Sequence, residues 1–268
     1  MGKIQDTSYQ NLKIERCEGD VLRVTIDRPD HPLNAVDESL HSELAQLFRE
    51  LRREDEARAI LLTGKESAFS AGGDFNWFPK LQDPQELEHL RRDAKQLIWD
   101  LLDVEIPIVV ALNGPAIGLG ASIALLSDII FMAKTATLAD PHVRLGIVAG
   151  DGGTVIWPLV LGPARAKEFL MTGDPVSAEE AYRMGLVNHI VDADEIESAS
   201  LAFAQRLARG APLAVRYTKQ AVNKLVKDAL NMTYDFSTAL ELVTFQSEDH
   251  QEALSAVAEK RPPHFKGR

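Results

Sequence analysis

The chain has 268 residues, enough to bury a substantial hydrophobic core, and its 45% hydrophobic and 26% charged residues are ordinary for a soluble globular protein. Its 29 Lys and Arg residues against 40 Asp and Glu residues give a formal net charge of −11. We therefore expect no nucleic-acid partner and no anionic membrane, because an acidic surface repels their phosphates. The single cysteine, Cys17, excludes an intrachain disulfide and a multi-cysteine metal site.

The opening stretch, MGKIQDTSYQ, shows no sign of a targeting signal. It contains no apolar segment, is not Arg-rich, and carries Asp6 where a myristoylation signal needs Ser or Thr. A lone cysteine is also typical of a reducing compartment. The sequence therefore predicts a cytoplasmic protein.

Short strands and amphipathic helices follow one another through the N-terminal half. Leu12 to Cys17 and Val21 to Ile26 are alternating apolar runs joined by a glycine turn, which predicts a β-hairpin. Asp37 is a plausible N-cap for an amphipathic helix, and Asp83, followed by Pro84 and Glu86, is the predicted N-cap of a later helix that reaches about Leu102. The compact apolar run at 59–63 predicts another strand, and AFSAGGD at 68–74 predicts a strand-like run that leads into a double glycine.

A glycine-spaced stretch, NGPAIGLGAS at 113–122, lies between a strand-like run at 106–112 and an apolar run at 123–126 that predicts a buried helix. Gly118 and Gly120 remove side-chain bulk there, and the first N–H groups of a helix lack internal partners. Strand, glycine turn and helix together predict backbone N–H groups that face an anion or a developing oxyanion. The alternative is a tight turn whose glycines serve only packing.

The C-terminal half begins with predicted strands at 128–132 and 137–139 and a glycine-rich segment, LGIVAGDGGT, at 145–154. A capping box at 177–180 opens a helix, and a last strand is predicted at 187–191.

From Asp194 onward the pattern is helical almost to the end, with a break near Pro212. The chain therefore divides into an α/β core of residues 1–195 and a helical region of residues 196–268. Pairs of short strands followed by one helix favour ββα units within the core.

The sequence resembles the crotonase (enoyl-CoA hydratase/isomerase) superfamily in five stretches that follow in order along the chain. They are AFSAGGD at 68–74, IPIVVALNGPAIGLGAS at 106–122, ADPHVRLGIVAGDGGT at 139–154, LMTGDPVSAEEAYRMGLVNHIV at 170–191 and EKRPPHFKGR at 259–268. The resemblance implies an α/β fold, a crotonase-like spiral of ββα units with a C-terminal α-helical trimerisation region. A homotrimer or hexamer is accordingly expected.

The resemblance also implies that two backbone N–H groups stabilise an enolate or related oxyanion of an acyl-CoA thioester. By motif match these are the N–H groups of Gly73 and Leu119. Hydratases of this superfamily add water with two glutamates, and the matching positions here hold Ser122 and His142. Hydration by two glutamates is therefore not expected.

Asp151, His142 and Ser122 are the candidate catalytic residues. Asp151 lies in the GDGG turn, where apolar neighbours would raise its pKa and suit it to general acid/base work, and its alternative role is the N-cap of the next helix. His142 could take a proton or hold a water, or be merely packed or solvated. Ser122 could bind water or substrate, or only the local backbone.

Substrate and CoA contacts are also implied by the resemblance. Aromatic residues after the first glycine turn would line an acyl pocket, with core packing as the alternative, and basic residues would meet CoA phosphates unless they are merely solvated. Asp74 is also explained as a residue that secures its turn. The candidates are Arg28, His31, Ala71, Gly72, Asp74, Phe75, Trp77, Phe78, Gly118, Lys260 and Lys266.

The predicted function is that of an enoyl-CoA hydratase/isomerase-like lyase or isomerase that acts on an acyl-CoA through an enolate. Coenzyme A enters as part of the substrate, and no separate cofactor or metal is expected because the sequence contains no P-loop, HExxH or complete GxGxxG motif. One alternative resembles 6-oxocamphor hydrolase, which cleaves carbon–carbon bonds in β-diketones, small carbonyl substrates, without CoA. His142 and Asp151 would then replace the glutamates. Another alternative is a catalytically silent binding or assembly protein.

Overall fold

The structure, a computed structural model, describes Ile4 and residues 7–268. Asp6, which bears on the absence of a myristoylation signal, lies outside the described residues. The strands in chain order are β1 (Leu12–Cys17), β2 (Val21–Ile26), β3 (Ala59–Gly64), β4 (Ile108–Leu112), β5 (Ala116–Ile117), β6 (Ile129–Ala133), β7 (Thr137–Ala139), β8 (Val176–Ser177) and β9 (His189–Val191). The α-helices are α1 (Glu38–Leu51), α2 (Pro84–Asp103), α3 (Leu119–Leu125), α4 (Gly153–Leu161), α5 (Pro163–Thr172), α6 (Ala178–Met184), α7 (Ile196–Ala208), α8 (Pro212–Phe245) and α9 (Glu248–Ala258).

Two sheets organise the core. The larger sheet has the spatial order β1-β2-β3-β4-β6-β9, and the smaller has the order β5-β7-β8. β1 pairs with β2 antiparallel, as the predicted hairpin, and every later pair of the larger sheet is parallel. All residues of β3 and β4 are buried, which explains their continuous apolar sequence because both faces of a parallel sheet are covered. The predicted α/β class of the fold is confirmed.

Side-chain caps start α1, α2 and α6 where the sequence predicts them. The Asp37 carboxylate accepts a hydrogen bond from the Leu40 N–H at 2.9 Å and begins α1. Asp83 does the same for α2 through the Gln85 N–H at 2.7 Å. The Ser177 hydroxyl accepts from the Glu180 N–H at 3.3 Å and begins α6. These contacts satisfy N–H groups that have no partner inside the helix.

The smaller sheet brings two functional stretches together. β5 pairs in parallel with β7, and the Gly118 N–H beyond β5 donates to the Ala139 carbonyl at 2.9 Å. The turn that leads into α3 therefore lies beside the segment that follows β7, a 3₁₀ turn at His142–Leu145. Residues far apart in the chain meet at this point.

The C-terminal helices pack on different parts of the core. α7 lies against β2, β3, β4 and β6, although it falls on the tail side of the predicted division after residue 195. α8 lies against α2 and α4, and its Asn223 side chain donates to the Leu102 carbonyl at 3.0 Å. α9 contacts the 3₁₀ turn that contains His142. In the part of the chain that the structure describes, no helix has the length and apolar composition needed to cross a membrane.

Two sequence predictions of secondary structure are wrong. Residues 68–74 form no strand, because their hydrogen bonds are divided between two neighbours: the Ser70 N–H donates to the Pro115 carbonyl at 3.0 Å and the Ala71 N–H to the Leu33 carbonyl at 2.9 Å. The tail also has a further break after α8. There the Ser247 hydroxyl accepts from the His250 N–H at 3.1 Å and starts α9 as a separate helix.

Candidate active site

The two predicted glycine turns lie side by side. Gly72 and Gly118 both have positive φ, at 81° and 53°, a conformation that L side chains rarely adopt. A Cβ added to Gly118 would lie 3.9 Å from the Gly72 Cα and 3.3 Å from the His142 Cε1. Among the described residues, the N–H groups of Gly73 and Leu119, which follow these glycines, donate to no hydrogen bond. Two unpaired donors thus stand at adjoining turns.

A cavity of about 290 Å³ opens between these turns. Its lining is mostly apolar and is formed by Ala71, Gly72, Gly73, Phe75, Phe78, Ile117, Gly118, Pro141, His142, Arg144, Leu145 and Val257. Phe78 lies over the first turn, because a Cβ on Gly73 would meet its Cζ at 2.5 Å. Gly73, which carries one of the unpaired N–H groups, and His142 therefore border a cavity fit for an apolar substrate group, and Leu119 directly follows the lining residue Gly118.

His142 faces carboxylates on both sides of its ring. Its Nδ1 is hydrogen-bonded to Asp140, and its Nε2 lies 3.5 Å from Asp151 Oδ2 and 3.9 Å from Glu241 Oε1. The Ser122 hydroxyl donates to Asp151 Oδ1 at 2.9 Å. The side chains of His142, Asp151 and Glu241 are 13%, 12% and 12% exposed, and that of Asp140 is fully buried. The three predicted catalytic residues are thus in one cluster.

Burial and neighbouring charges perturb the pKa values of His142, Asp151 and Glu241. Burial alone would lower the pKa of His142, but the charges of Asp140, Asp151 and Glu241 outweigh it and raise that pKa to about 10. Burial raises the pKa of Asp151, as the sequence predicted, against the opposing charge of His142. Burial also raises the pKa of Glu241 to about 8, again against His142. The cluster therefore retains protons near neutral pH, and perturbed groups of this kind are typical of catalytic sites.

Asp151 does not occupy the N-cap position of α4, although its carboxylate does accept a hydrogen bond from the backbone N–H of Gly153, the first residue of that helix. Helix α4 begins at Gly153, and Gly152, with a φ of 118°, occupies the cap position. Asp151 precedes that position and uses its carboxylate on Ser122 and His142. Ser122 likewise has a definite partner other than its own backbone.

Asp140 and Glu241 are two members of the cluster that the sequence analysis missed. Asp140 stands two positions before His142 in the segment ADPH, so its proximity could have been noticed. Glu241 lies in α8, in the region assigned only to assembly, and its side chain packs on Gly150. No local pattern signals it, because its place in the site depends on how α8 crosses the core.

Asp140, His142 and Asp151 also present potential metal-ligand atoms within 4.8 Å of one another. The hydrogen bond between Asp140 and His142 Nδ1 already engages two of those groups.

Several predicted substrate contacts do line the cavity: Ala71, Gly72, Phe75, Phe78 and Gly118. Arg28, His31, Asp74, Trp77 and Lys260 do not. Their involvement with CoA stays a prediction.

Arg28 is committed elsewhere. Its side chain is 7% exposed, and its guanidinium pairs with Asp74 at 2.7 Å, Asp30 at 2.9 Å and Asp37 at 3.1 Å. Three carboxylates thus neutralise the positive charge that a CoA phosphate would need. Arg28, Asp74 and Trp77 line a separate cavity of about 430 Å³.

The other three basic candidates, His31, Lys260 and Lys266, also do not line the cavity. His31 Nδ1 accepts from the Leu33 and Ala35 N–H groups at 3.3 Å each, which fixes its own loop. Lys260 follows α9 and is exposed, as is Lys266.

Comparison with known proteins gives consistent matches along nearly the whole chain. The sequence profile of a family described as enoyl-CoA hydratase/isomerase matches residues 16–268. A 1,2-epoxyphenylacetyl-CoA isomerase from Escherichia coli is 31% identical over 258 residues, covering 95% of this chain and 98% of the relative.

Two solved structures are informative about the site. An enoyl-CoA hydratase/isomerase from Mycobacterium paratuberculosis is 37% identical, with a TM-score of 0.87 and coverage of 92% of this chain and 98% of that one. A β-diketone hydrolase from the cyanobacterium Anabaena, bound to (S)-3-oxocyclohexyl acetic acid, is 30% identical, with a TM-score of 0.84 and coverage of 89% and 95%. The fold thus serves both thioester and diketone chemistry among its relatives.

Proposed function

This chain belongs to the enoyl-CoA hydratase/isomerase family, and from that premise we propose that it is an enzyme that moves a proton next to the carbonyl of an acyl-CoA thioester. The observation that carries the proposal is the position of His142: it borders the cavity beside the two glycine turns while Asp151 stands 3.5 Å from its Nε2. Carbonyl-binding and proton-transferring groups thus meet at one place.

The N–H groups of Gly73 and Leu119 form the oxyanion site in this proposal. When the carbon next to the carbonyl loses a proton, negative charge develops on the thioester oxygen as an enolate. Backbone donors suit that charge because they are fixed before the reaction, and each contributes about 3–4 kcal/mol to the transition state. Their lack of other partners supports the assignment.

The proton transfer belongs to the carboxylate–histidine cluster. Asp151, whose pKa burial raises, takes the proton from the substrate carbon as general base. His142, with a pKa raised to about 10 by its carboxylate neighbours against the effect of burial, is protonated at neutral pH and returns a proton as general acid. Ser122 orients Asp151 through its hydroxyl. This division of roles gives isomerase or lyase chemistry without two glutamates.

Deuterium exchange tests the proposal without knowledge of the product. The enzyme is incubated in D₂O with butyryl-CoA, phenylacetyl-CoA and acetoacetyl-CoA, and incorporation next to the carbonyl is followed by mass spectrometry. We expect catalysed exchange that falls about a hundredfold or more in Asp151→Asn. Asp55→Asn, at an exposed position, is the matched control and should keep the wild-type rate. Absence of exchange with every thioester would refute the proposal.

Hydrolysis of a cyclic β-diketone is the second candidate function, favoured by the similarity to the β-diketone hydrolase and by the His142–Asp151 pair. Water would attack one ketone carbonyl, the bond between that carbon and the central carbon would break, and the departing enolate would take a proton. Because the broken bond is part of the ring, the product would be a single keto acid that carries the new carboxylic acid and the remaining ketone. Bicyclic and monocyclic 1,3-diketones, followed by NMR, test it. Diketone cleavage without binding of any acyl-CoA would select this function over the first.

A homotrimer, or a hexamer of two trimers, is the proposed assembly. α8 carries an exposed apolar stripe on one face, formed by Val222, Leu225, Met232, Phe236, Leu240 and Val243. Monomeric proteins rarely expose so continuous a stripe, and a second copy of the chain would cover it. Light scattering after size-exclusion chromatography should give an oligomer for the wild type and for Lys224→Ala, and a smaller species for Phe236→Glu. A monomeric wild type would exclude this assembly.

A further inference from the structure

Side chains of α8 and α9 form hydrogen bonds with the backbone of residues 145–150, in the segment that carries His142 and Asp151. The Val148 N–H donates to the Thr244 hydroxyl at 3.1 Å, and the Thr238 hydroxyl donates to the Gly150 carbonyl at 3.2 Å. Beyond the end of α8, the next helix, α9, brings His250 to the same segment. Its Nδ1 lies 2.7 Å from the Leu145 carbonyl. The segment that carries His142 and Asp151 is thus fastened to helices distant in sequence.

The contact of His250 fixes its tautomer. A carbonyl oxygen can only accept, so Nδ1 must carry the proton and donate it to Leu145. Nε2 is then an acceptor, and it is buried without a partner. An unpaired buried nitrogen is destabilising, so a histidine here is not explained by core packing alone. A donor at this position is the feature that an apolar residue would not supply.

His250 also contacts the other half of the site. Its ring packs edge-to-face against Phe78, with centroids 5.8 Å apart and an interplanar angle of 84°. Phe78 covers Gly73, whose N–H is the proposed oxyanion donor, and it lines the cavity. The His250 ring therefore contacts Phe78, which covers the turn at Gly73. Its Nδ1–H binds Leu145, which lies in the same segment as His142.

Close backbone contacts restrict movement between His250 and the segment that contains His142. Gly146 has a φ of 67°, and a Cβ added there would lie only 3.0 Å from the backbone nitrogen of His250. The Ile147 N–H returns to the His142 carbonyl at 3.1 Å, so Leu145 and His142 belong to one closed turn. A displacement at Leu145 would consequently move the His142 ring relative to Asp151.

We propose that His250 is a positioning residue for this active site: it sets the distance between the His142–Asp151 pair and the Gly73 turn by binding Leu145 with its Nδ1–H and Phe78 with its ring. The inference rests on the proposed function for its catalytic meaning, since it assigns His250 no contact with substrate. Its geometric content, the placement of His142, stands apart from any substrate.

Two substitutions separate the two contacts. His250→Phe keeps a ring against Phe78 but removes the donor to Leu145. His250→Asn keeps a donor near the Nδ1 position but removes the ring. We expect His250→Phe to lower kcat for α-proton exchange by roughly tenfold to a hundredfold, with KM little changed, and to shift the pKa of His142. We expect His250→Asn to keep the wild-type pKa of His142 and to restore much of kcat.

Imidazole NMR on the full chain gives the readouts. In the wild type, the ¹⁵N spectrum should show His250 as the Nδ1–H tautomer, a test that needs no variant to fold. The opposite tautomer would overturn the proposal, and so would a His250→Phe enzyme with wild-type kcat and an unchanged His142 titration.

A different result is expected if the proposed function is wrong but His250 does position His142. In that case the wild type exchanges no α-proton, while His250→Phe still shifts the His142 titration and His250→Asn does not. If instead the wild type is active and His250→Phe changes only the thermal midpoint, His250 is a structural residue and the proposal falls.

Discussion

Replacing Glu241 by Gln tests whether the buried carboxylates control the proton on His142. Gln has nearly the same shape as Glu, so packing on Gly150 is preserved while one negative charge is removed. The pKa of Glu241 is about 8 because burial raises it, and that of His142 is about 10. Glu241 is therefore ionised at the pH where His142 titrates, and its full charge acts on the imidazolium.

The size of the effect follows from the distance. Two unit charges 3.9 Å apart attract by about 4 kcal/mol at an effective dielectric constant of about 20, and by about 1 kcal/mol at the water value of about 80. One pH unit corresponds to about 1.4 kcal/mol, so the pKa of His142 should fall by roughly 1 to 3 pH units in Glu241→Gln. It would still lie above the value for a buried histidine without carboxylate partners, because Asp140 and Asp151 are retained.

An NMR titration of the His142 Cε1–H measures this change directly. Glu105→Gln, which removes one charge at an exposed position, serves as the control and should leave the titration in place. An unchanged or increased pKa of His142 in Glu241→Gln would contradict the assignment of Glu241 to the cluster.

Three further outcomes are expected. Gly118→Ala should lower the free energy of unfolding by about 1–3 kcal/mol and abolish turnover, because Gly118 has a φ of 53° and the added Cβ would lie 3.3 Å from His142. The control is Gly185→Ala, where φ is also positive but the Cβ would meet no other atom, and this variant should stay active in the same assays. Ser122→Ala should raise the pKa of Asp151 further and move the acidic limb of the kcat profile upward by at most about 1 pH unit, since the lost hydrogen bond favours the ionised carboxylate. Stability in urea should decline as pH rises from 6.5 towards 10, because His142 is raised above its ordinary pKa by folding and its contribution is complete below 6.5; a flat profile would count against the charged cluster.

The silent-protein alternative makes a contrasting prediction. If the chain only binds or assembles, His142→Ala and Asp151→Asn leave every measured exchange or hydrolysis rate unchanged. Such a result would leave the retained protons of the cluster without a function.

Local sequence determined the parts of this protein that depend on neighbours in the chain. Asp37, Asp83 and Ser177 each cap the helix that their spacing predicted, since a cap needs only an N–H two or three positions ahead. The glycine pattern around Gly72 and Gly118 located two turns with positive φ, because few other residues adopt that conformation. The GDGG segment gave Asp151, and its raised pKa followed from apolar neighbours.

Tertiary structure alone decided which distant groups share one environment. Glu241 enters the cluster from α8, and His250 reaches Leu145 from α9, through packing that no local periodicity encodes. The sequence suggested that Arg28 could bind a phosphate, but in the folded chain Arg28 forms ion pairs with Asp30, Asp37 and Asp74. The pKa of a side chain depends on the charges and the burial around it in space. The sequence could therefore identify the candidate groups, but their protonation depends on how the helices pack.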